Sequence, residues 1–241
     1  MGLVVQISNW INSQVKKANA EGIVVGLSGG IDSSVVAALS KKAVGDKLLG
    51  LIMPCQSESI DEKYALLVAS CLKIKTERIA LDTAYEKLLE AFPSGNKLAV
   101  ANIKPRLRML TLYYFANNLN YLVAGTGNKS EIMVGYFTKY GDGGVDILPL
   151  GGLLKTQVRQ LARELDIPKE ILSRVPTAGL WHNQTDEWEL GITYEDLDKV
   201  LKVVLESKKT TNLPHDLIAK VKGLIKTSEH KRALPAIFGG V

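Results

Sequence analysis

Small, hydroxyl-bearing and acidic residues follow the first apolar run of the chain, where residues 26–34 read GLSGGIDSS. Paired glycines let a backbone approach an anion closely, and the amide groups at the start of a helix favour a phosphate there. Ser28 and Ser33 add hydroxyl donors. The carboxylate of Asp32 would repel a phosphate unless Mg²⁺ lay between them. Because the GK[ST] ending of a Walker loop is absent, the string predicts a phosphate site of another kind.

Other polar segments recur in a fixed order further along the chain. They are GTGNKSE at 125–131, GYFTKYGDGGVD at 135–146, KTQV at 155–158, PTA at 176–178, QTDE at 184–187, ELG at 189–191 and EHKR at 229–232. Each residue alone has an ordinary explanation, since Lys139 and Lys155 could be surface lysines and Asp146 a turn residue. Their joint order and spacing favour a functional site.

Apolar runs that alternate with helical patterns must position these residues. Short runs at 22–27 and 48–53 are typical of buried parallel strands, and two further strands are expected at 74–81 and 121–124. The pattern predicts an α/β fold, a doubly wound parallel sheet flanked by helices, with the active site beyond the carboxyl ends of the strands. Helical patterns after the glycine-rich segment predict a helical C-terminal extension, with residues 176–191 as a loop.

Composition limits the functional classes. The 241 residues are 46% hydrophobic and 23% charged, with a net charge of +5, which is typical of a globular protein. Two cysteines, both expected to be buried, exclude a disulfide framework. The longest apolar runs are too short to cross a bilayer, and no signal peptide is visible. We therefore expect a cytoplasmic protein without a membrane partner. Since no basic stripe is interleaved with aromatic residues, we expect no nucleic-acid partner either.

The string at 26–34 resembles the pyrophosphate-binding loop of the N-type ATP pyrophosphatase superfamily, which has the adenine nucleotide alpha hydrolase-like fold. Those enzymes split ATP between the α and β phosphates and adenylate a carboxylate or amide oxygen. The later segments, 125–131 and 135–146 above all, narrow the resemblance to the ammonia-dependent NAD synthetase family, over about residues 4–238. Pro105, and the segment TAGLWHN at 177–183, depart from the usual pattern of that family.

The resemblance implies ATP-dependent amidation of deamido-NAD (nicotinic acid adenine dinucleotide) to NAD with ammonia. The reaction passes through an NAD-adenylate and releases pyrophosphate and AMP, with Mg²⁺ as the metal. It also implies a homodimer, for which the helical patterns at 3–18 and 107–119 could supply the surface. Relatives that use glutamine carry a further amidase domain. The expectation is therefore one NAD synthetase domain over 1–241, without a glutaminase domain.

The resemblance further implies a role for each matching residue. The implied ATP-binding residues are Gly26, Leu27, Ser28, Gly29, Gly30, Ile31, Asp32, Ser33, Thr126, Lys155 and Thr177. The implied deamido-NAD-binding residues are Arg106, Lys139, Asp146, His230 and Lys231. Asp32 and Glu131 would bind Mg²⁺. The implied catalytic residues are Asp32, Lys155 and Asp142, the last in a glycine-rich segment that suits a lid.

Two other functions remain open at this point. A tRNA-modifying enzyme of the same superfamily would fit a pI near 9.0, although such enzymes usually need cysteines that this chain lacks. A nucleotide-binding sensor without catalysis is the other alternative. It would predict the loss of Asp32 or Glu131, and both are present.

Overall fold

The computed structural model describes residues 2–205 and 213–238, and a parallel sheet lies at its centre. Strands β1 (Gly22–Gly26), β2 (Leu48–Ile52), β3 (Lys75–Arg78) and β4 (Tyr121–Ala124) form this sheet in the order β3-β2-β1-β4. All the strand pairs are parallel, with β1 between β2 and β4. The strand order changes direction at β1, so the carboxyl end of β1 is the crevice where such sheets bind ligands.

Helices connect the strands and cover both faces of the sheet. In chain order they are α1 (Leu3–Lys17), α2 (Ile31–Val44), α3 (Ser59–Leu72), α4 (Asp82–Ala91), α5 (Lys97–Ala101), α6 (Ile103–Leu119), α7 (Lys129–Val134), α8 (Lys155–Glu164), α9 (Lys169–Leu172), α10 (Asp186–Leu190), α11 (Tyr194–Leu205), α12 (His215–Thr227) and α13 (Glu229–Arg232). Within the described ranges, none of these helices has the length and apolar character that a membrane crossing requires.

Alternate residues of β1 point to opposite faces of the sheet, as the two-residue period of a strand requires. Ile23 and Val25 lie in the core that α1, α2 and α8 cover, whereas Val24 lies in the core beneath α4 and α6. Each of these three side chains is fully buried. The predicted doubly wound sheet is therefore confirmed, with a hydrophobic core on each face.

A third core joins the C-terminal helices to the sheet domain. Tyr194 and Leu197 of α11 and Val221 of α12 pack there with Val134 of α7 and Leu154, which precedes α8. The C-terminal extension thereby buries itself against the two short helices that follow the glycine-rich segments.

Some local expectations differ from the structure. Residues 176–191 contain the helix α10, which Thr185 begins by accepting a hydrogen bond from the Trp188 amide. Cys55 is buried, but Cys71 is exposed, so the expectation of a second buried thiol is wrong. Pro105 is accommodated in the first turn of α6, where a proline removes no helical hydrogen bond.

Candidate active site

The loop between β1 and α2 is stabilised by hydrogen bonds of its own serines. The hydroxyls of Ser28 and Ser33 lie 3.0 Å apart, and the Gly30 amide donates to Ser28 Oγ at 3.2 Å. Ser33 Oγ donates in turn to the Gly30 carbonyl at 2.9 Å. Gly30 is the N-cap residue of α2 and has no side chain to satisfy the first amides of that helix. Those amides and hydroxyls face the carboxyl edge of the sheet, an arrangement that suits a phosphate.

Gly29 occupies a position that no other residue can take without strain. Its φ is +73°, and a Cβ built on it would lie 2.6 Å from the carbonyl oxygen of Asp61. The loop therefore packs directly against the start of α3, which fixes its curvature.

Replacing Gly29 by alanine should destabilise the protein more than the same change at Gly179. Gly179 also has a positive φ, +61°, but the nearest atom to a Cβ there is 4.0 Å away. Both variants acquire the left-handed strain of about 1–2 kcal/mol. Gly29→Ala adds a backbone clash of about 1–3 kcal/mol. Urea titrations of the two variants measure the difference, and equal losses would contradict the close packing of this loop.

A buried lysine at the start of α8 joins the first turn of α2 to the first turn of α7. Lys155 is the first residue of α8 and is 2% exposed. Its Nζ lies 2.5 Å from Asp32 Oδ2 and 2.9 Å from Glu131 Oε1. Burial alone would lower the pKa of Lys155, but the two carboxylates outweigh it and raise that pKa. Lys155 is therefore a fixed positive charge beside the loop between β1 and α2.

Asn128 positions both carboxylates. Its amide Nδ2 donates to Asp32 Oδ1 at 2.9 Å, while its side-chain oxygen accepts from the Glu131 amide at 3.1 Å. The Glu131 side chain accepts from the Asn128 amide in return, which completes a capping box at the start of α7. Because Asn128 is fully buried, this arrangement leaves Asp32 and Glu131 little freedom to move.

A second layer of hydroxyls and carboxylates lies behind Glu131. The Tyr194 hydroxyl lies 2.9 Å from Asp186 Oδ2 and 3.2 Å from Glu131 Oε1, and Tyr136 donates to Asp186 at 3.1 Å. Burial raises the pKa of Glu131 and of Asp186, and it also raises that of Tyr194. The cluster thus concentrates three carboxyl groups around the single ammonium of Lys155.

This donor set fits Mg²⁺ that is shared with a nucleotide. Among residues 2–205 and 213–238, no group of three or more His, Cys, Asp or Glu side chains could hold a metal by itself. Mg²⁺ needs no such cage, because in phosphate-transfer sites one or two carboxylates, water and the substrate phosphates complete its coordination. Asp32 and Glu131, both bound to one ammonium, provide two carboxylates at the same place.

The residues that the resemblance assigned to deamido-NAD form a separate group around residues 135–141. Lys231 Nζ donates to the carbonyls of Gly135 and Phe137, at 2.7 and 2.8 Å. Lys139 Nζ donates to the His230 carbonyl at 2.5 Å, and Arg106 to the Lys139 carbonyl at 3.4 Å. The side chains of Arg106, Lys139 and Lys231 are thus held by backbone oxygens. Of the ion pairs found in the described ranges, none joins the group to Lys155.

Other assigned residues support loops at the same edge. Asp146 accepts from the Tyr113 hydroxyl at 3.0 Å and from the Val123 amide at 2.7 Å, which attaches the glycine-rich segment to β4. Asp142 is exposed and accepts from the Thr138 amide at 2.8 Å. Thr177 Oγ1 accepts from the Gly179 amide at 3.0 Å, and Thr126 follows the end of β4. Gly26, Leu27 and Ile31 contribute the backbone that joins β1 to α2.

Sequence reasoning assigned no role to Asn128, Asp186 or Tyr194, although Asn128 and Asp186 lie in the segments 125–131 and 184–187. A signal for Asn128 was present, because an Asn followed three residues later by Glu131 is typical of a capping box. No local pattern marks Tyr194, which meets Glu131 only when α11 packs on α7.

Comparisons with known proteins agree with this geometry. The chain matches the family model of NAD synthase over residues 3–235. It is 48% identical to an NH3-dependent NAD(+) synthetase of Carboxydothermus hydrogenoformans, over 96% of this chain and 95% of that one. A solved NMN synthetase from Francisella tularensis is 38% identical, with a TM-score of 0.89 over 99% of this chain and 98% of that one.

A solved NH3-dependent NAD synthetase from Campylobacter jejuni is also similar to this chain. It is 29% identical, with a TM-score of 0.86 over 98% of each chain. The fold is the adenine nucleotide alpha hydrolase-like fold of these neighbours. The full-length match to the family model, together with 48% identity to a curated relative, shows that this chain belongs to the NAD synthase family.

Proposed function

We propose that this chain converts deamido-NAD to NAD by ATP-dependent amidation with ammonia, as an ATP-dependent carbon–nitrogen ligase. Membership of the NAD synthase family supports this reaction, and its curated relatives are named NH3-dependent NAD(+) synthetases. The observation that carries the proposal furthest is the buried Lys155, which Asp32 and Glu131 hold beside the open phosphate loop. That arrangement suits a reaction in which negative charge develops on a phosphate.

In the first step, a carboxylate oxygen of deamido-NAD attacks the α phosphorus of ATP. The bond between that phosphorus and the oxygen that bridges to the β phosphate breaks, and pyrophosphate leaves with the electron pair. Ser28, Ser33 and the first amides of α2 bind the phosphates, with Thr126 and Thr177 as further ATP contacts. Lys155 stabilises the charge on the α phosphate. Asp32 and Glu131 would hold Mg²⁺, which supplies Lewis-acid neutralisation of the phosphate charge when bound.

In the second step, ammonia attacks the acyl carbon of the adenylate, and AMP leaves. The nitrogen must lose a proton as the amide forms. Asp142 lies within the glycine-rich segment, so we assign it the acceptance of that proton. The segment around it excludes water from the hydrolysable adenylate when it closes on the substrate.

The basic group around residues 135–141 binds deamido-NAD in this proposal. Arg106, Lys139 and Lys231 bring cationic groups to one region, where the backbone of His230 meets Lys139, and Asp146 fixes the segment that carries Lys139. A dinucleotide has a diphosphate, for which Arg and Lys side chains are suitable partners. These side chains would exchange backbone carbonyls for phosphate oxygens on binding.

We further propose a cytoplasmic homodimer that takes free ammonia and consists of a single catalytic domain. Two helices expose apolar side chains that a second copy could cover. These exposed side chains are Val5 and Trp10 on α1, and Leu110 and Tyr114 on α6, with Tyr114 67% exposed. Sedimentation of the purified protein measures the oligomeric state.

A second acceptor has a specific observation in its favour. The similar structure from Francisella tularensis is an NMN synthetase, and its name implies a mononucleotide product. The same adenylation chemistry would serve nicotinic acid mononucleotide, because the reacting carboxylate is identical. Identity of 48% to an NAD synthetase favours the dinucleotide.

Product analysis with both acceptors tests the proposal. The protein is mixed with ATP, Mg²⁺ and ammonium, and with either deamido-NAD or nicotinic acid mononucleotide. We expect NAD, AMP and pyrophosphate in equal amounts, with a kcat/KM at least about tenfold higher for the dinucleotide. Glutamine in place of ammonium should give little product. A preference for the mononucleotide would reject deamido-NAD as the substrate, and binding of ATP without AMP would favour the sensor.

A further inference from the structure

One buried carboxylate lies outside the cluster described above. Asp198 on α11 is 1% exposed. It accepts a hydrogen bond from the Ser130 hydroxyl and another, at 2.8 Å, from the Thr156 amide. Ser130 Oγ accepts at the same time from the Lys155 amide at 2.9 Å. Across residues 2–205 and 213–238, the ion pairs formed by lysine, arginine and histidine do not include Asp198.

The partners of Asp198 are the sequence neighbours of the two central functional residues. Ser130 directly precedes Glu131 in the first turn of α7, and Thr156 directly follows Lys155 in the first turn of α8. Asp198 therefore joins the starts of two separate helices through one carboxylate. We propose that Asp198 is a positioning residue, which fixes the Glu131 carboxylate and the Lys155 ammonium relative to each other. The expected effect on turnover rests on the proposed function, whereas the connection between the two helices does not.

The energetics favour this role over simple stabilisation. A buried carboxylate without a cationic partner is costly, and apolar residues of similar size often fill such positions at no loss of stability. The carboxylate instead meets a backbone amide, a hydroxyl and the positive ends of two helices, which compensate the burial. Unlike an apolar residue at this position, the Asp198 carboxylate also fixes the spacing between the starts of α7 and α8. Misplacement of a catalytic group by about 1 Å lowers a rate about 10²-fold.

The test uses Asp198→Asn, Asp198→Ala and Ser130→Ala. A matched control is Asp196→Asn, two residues away on the same helix, where the carboxylate is bound at the surface by Thr193 and Lys199. Steady-state kinetics of the folded fraction give kcat and KM separately for each variant. Hydrogen exchange, followed by mass spectrometry over 125–135 and 150–160, reports on the two helix starts without any reaction.

We expect kcat to fall about tenfold in Asp198→Asn and about 10²-fold in Asp198→Ala, with KM for ATP within about threefold. Exchange should accelerate in both segments together and stay unchanged in Asp196→Asn. In the double variant Ser130→Ala/Asp198→Asn, the fold decrease in kcat should be smaller than the product of the decreases in the two single variants, because both changes remove the same connection.

A kcat within twofold of the unmodified protein in Asp198→Asn would overturn the proposal, as would faster exchange in only one of the two segments. If Asp198→Ala does not fold, the measurements on Asp198→Asn and Ser130→Ala still test the proposal. If the unmodified protein makes no NAD, the proposed function fails. The exchange measurement then tests the connection alone.

Discussion

Replacing Lys155 by methionine is expected to lower kcat/KM for NAD formation about 10²–10³-fold. Methionine keeps the length and apolar stem of the lysine but removes the charge that faces the α phosphate in the proposed reaction. Lys155 is 2% exposed and supplies the cation that pairs with Asp32 and Glu131. Steady-state assays of NAD and AMP measure the loss.

The same variant should also be less stable, because Asp32 and Glu131 lose their shared cation. Breaking a buried ion pair at one partner typically costs about 3–5 kcal/mol, and the 15–17% exposure of these two carboxylates places the expected loss at the lower end. Lys202→Met on the exposed side of α11 is the control, since it removes a solvated charge. If Lys155→Met kept normal kcat/KM, Lys155 would not contact the reacting phosphate.

Asp32→Asn should lower kcat/KM by a similar factor of about 10²–10³ and leave the fold intact. The amide keeps the size of the side chain, and Lys155 keeps its ion pair with Glu131. The expected loss arises because one of the two carboxylates proposed to hold Mg²⁺ is gone. Binding of Mn²⁺, measured by electron paramagnetic resonance in the presence of ATP, should weaken at least about tenfold.

Asp46→Asn provides the matched control for that experiment. Asp46 follows the end of α2, the helix that begins next to Asp32. Its carboxylate lies 2.7 Å from the ammonium of Lys41 in α2, and it is fully exposed at the surface. Its removal should leave Mn²⁺ binding and turnover unchanged. Near-normal turnover in Asp32→Asn, or unchanged Mn²⁺ affinity, would mean that Asp32 has no part in metal binding.

The sheet could be predicted from sequence because its signals are local. Each strand lies within the short run where it is expected, and the alternation with helices determines a parallel order. The strand predicted at 121–124 matches β4, and the others agree within a few residues at their ends. The short helices α5, α10 and α13 were missed, because four or five residues do not show a helical period.

The site could be predicted partly from a local pattern and partly from the resemblance. The glycine-rich string indicated Asp32, the resemblance implied the roles of Glu131 and Lys155, and the structure brings the three side chains together. Tyr194 and Asp198 carry no such pattern, since both reach the site by packing of α11 against α7 and α8. Their role depends on tertiary contacts between segments that lie far apart in the chain.

The basic residues near the C-terminus show a different limit. The string EHKR at 229–232 suggested contacts with an anionic substrate, but the structure also gives it a structural task. Lys231 donates to two carbonyls of the glycine-rich segment, and Arg232 donates to the carbonyls of Ile132 and Met133 at the end of α7. A basic string cannot by itself distinguish a ligand contact from a helix-end contact, because carbonyl and phosphate oxygens accept from the same donors.

Transfer of oxygen from substrate to AMP tests the central claim most directly. Deamido-NAD is prepared with ¹⁸O in both oxygens of its nicotinate carboxylate, and the products are analysed by mass spectrometry after turnover with ATP and ammonium. Attack of the carboxylate on the α phosphorus predicts one ¹⁸O in the phosphate of AMP and the other in the amide of NAD. Unlabelled AMP, or label in inorganic phosphate, would contradict adenylation at this site.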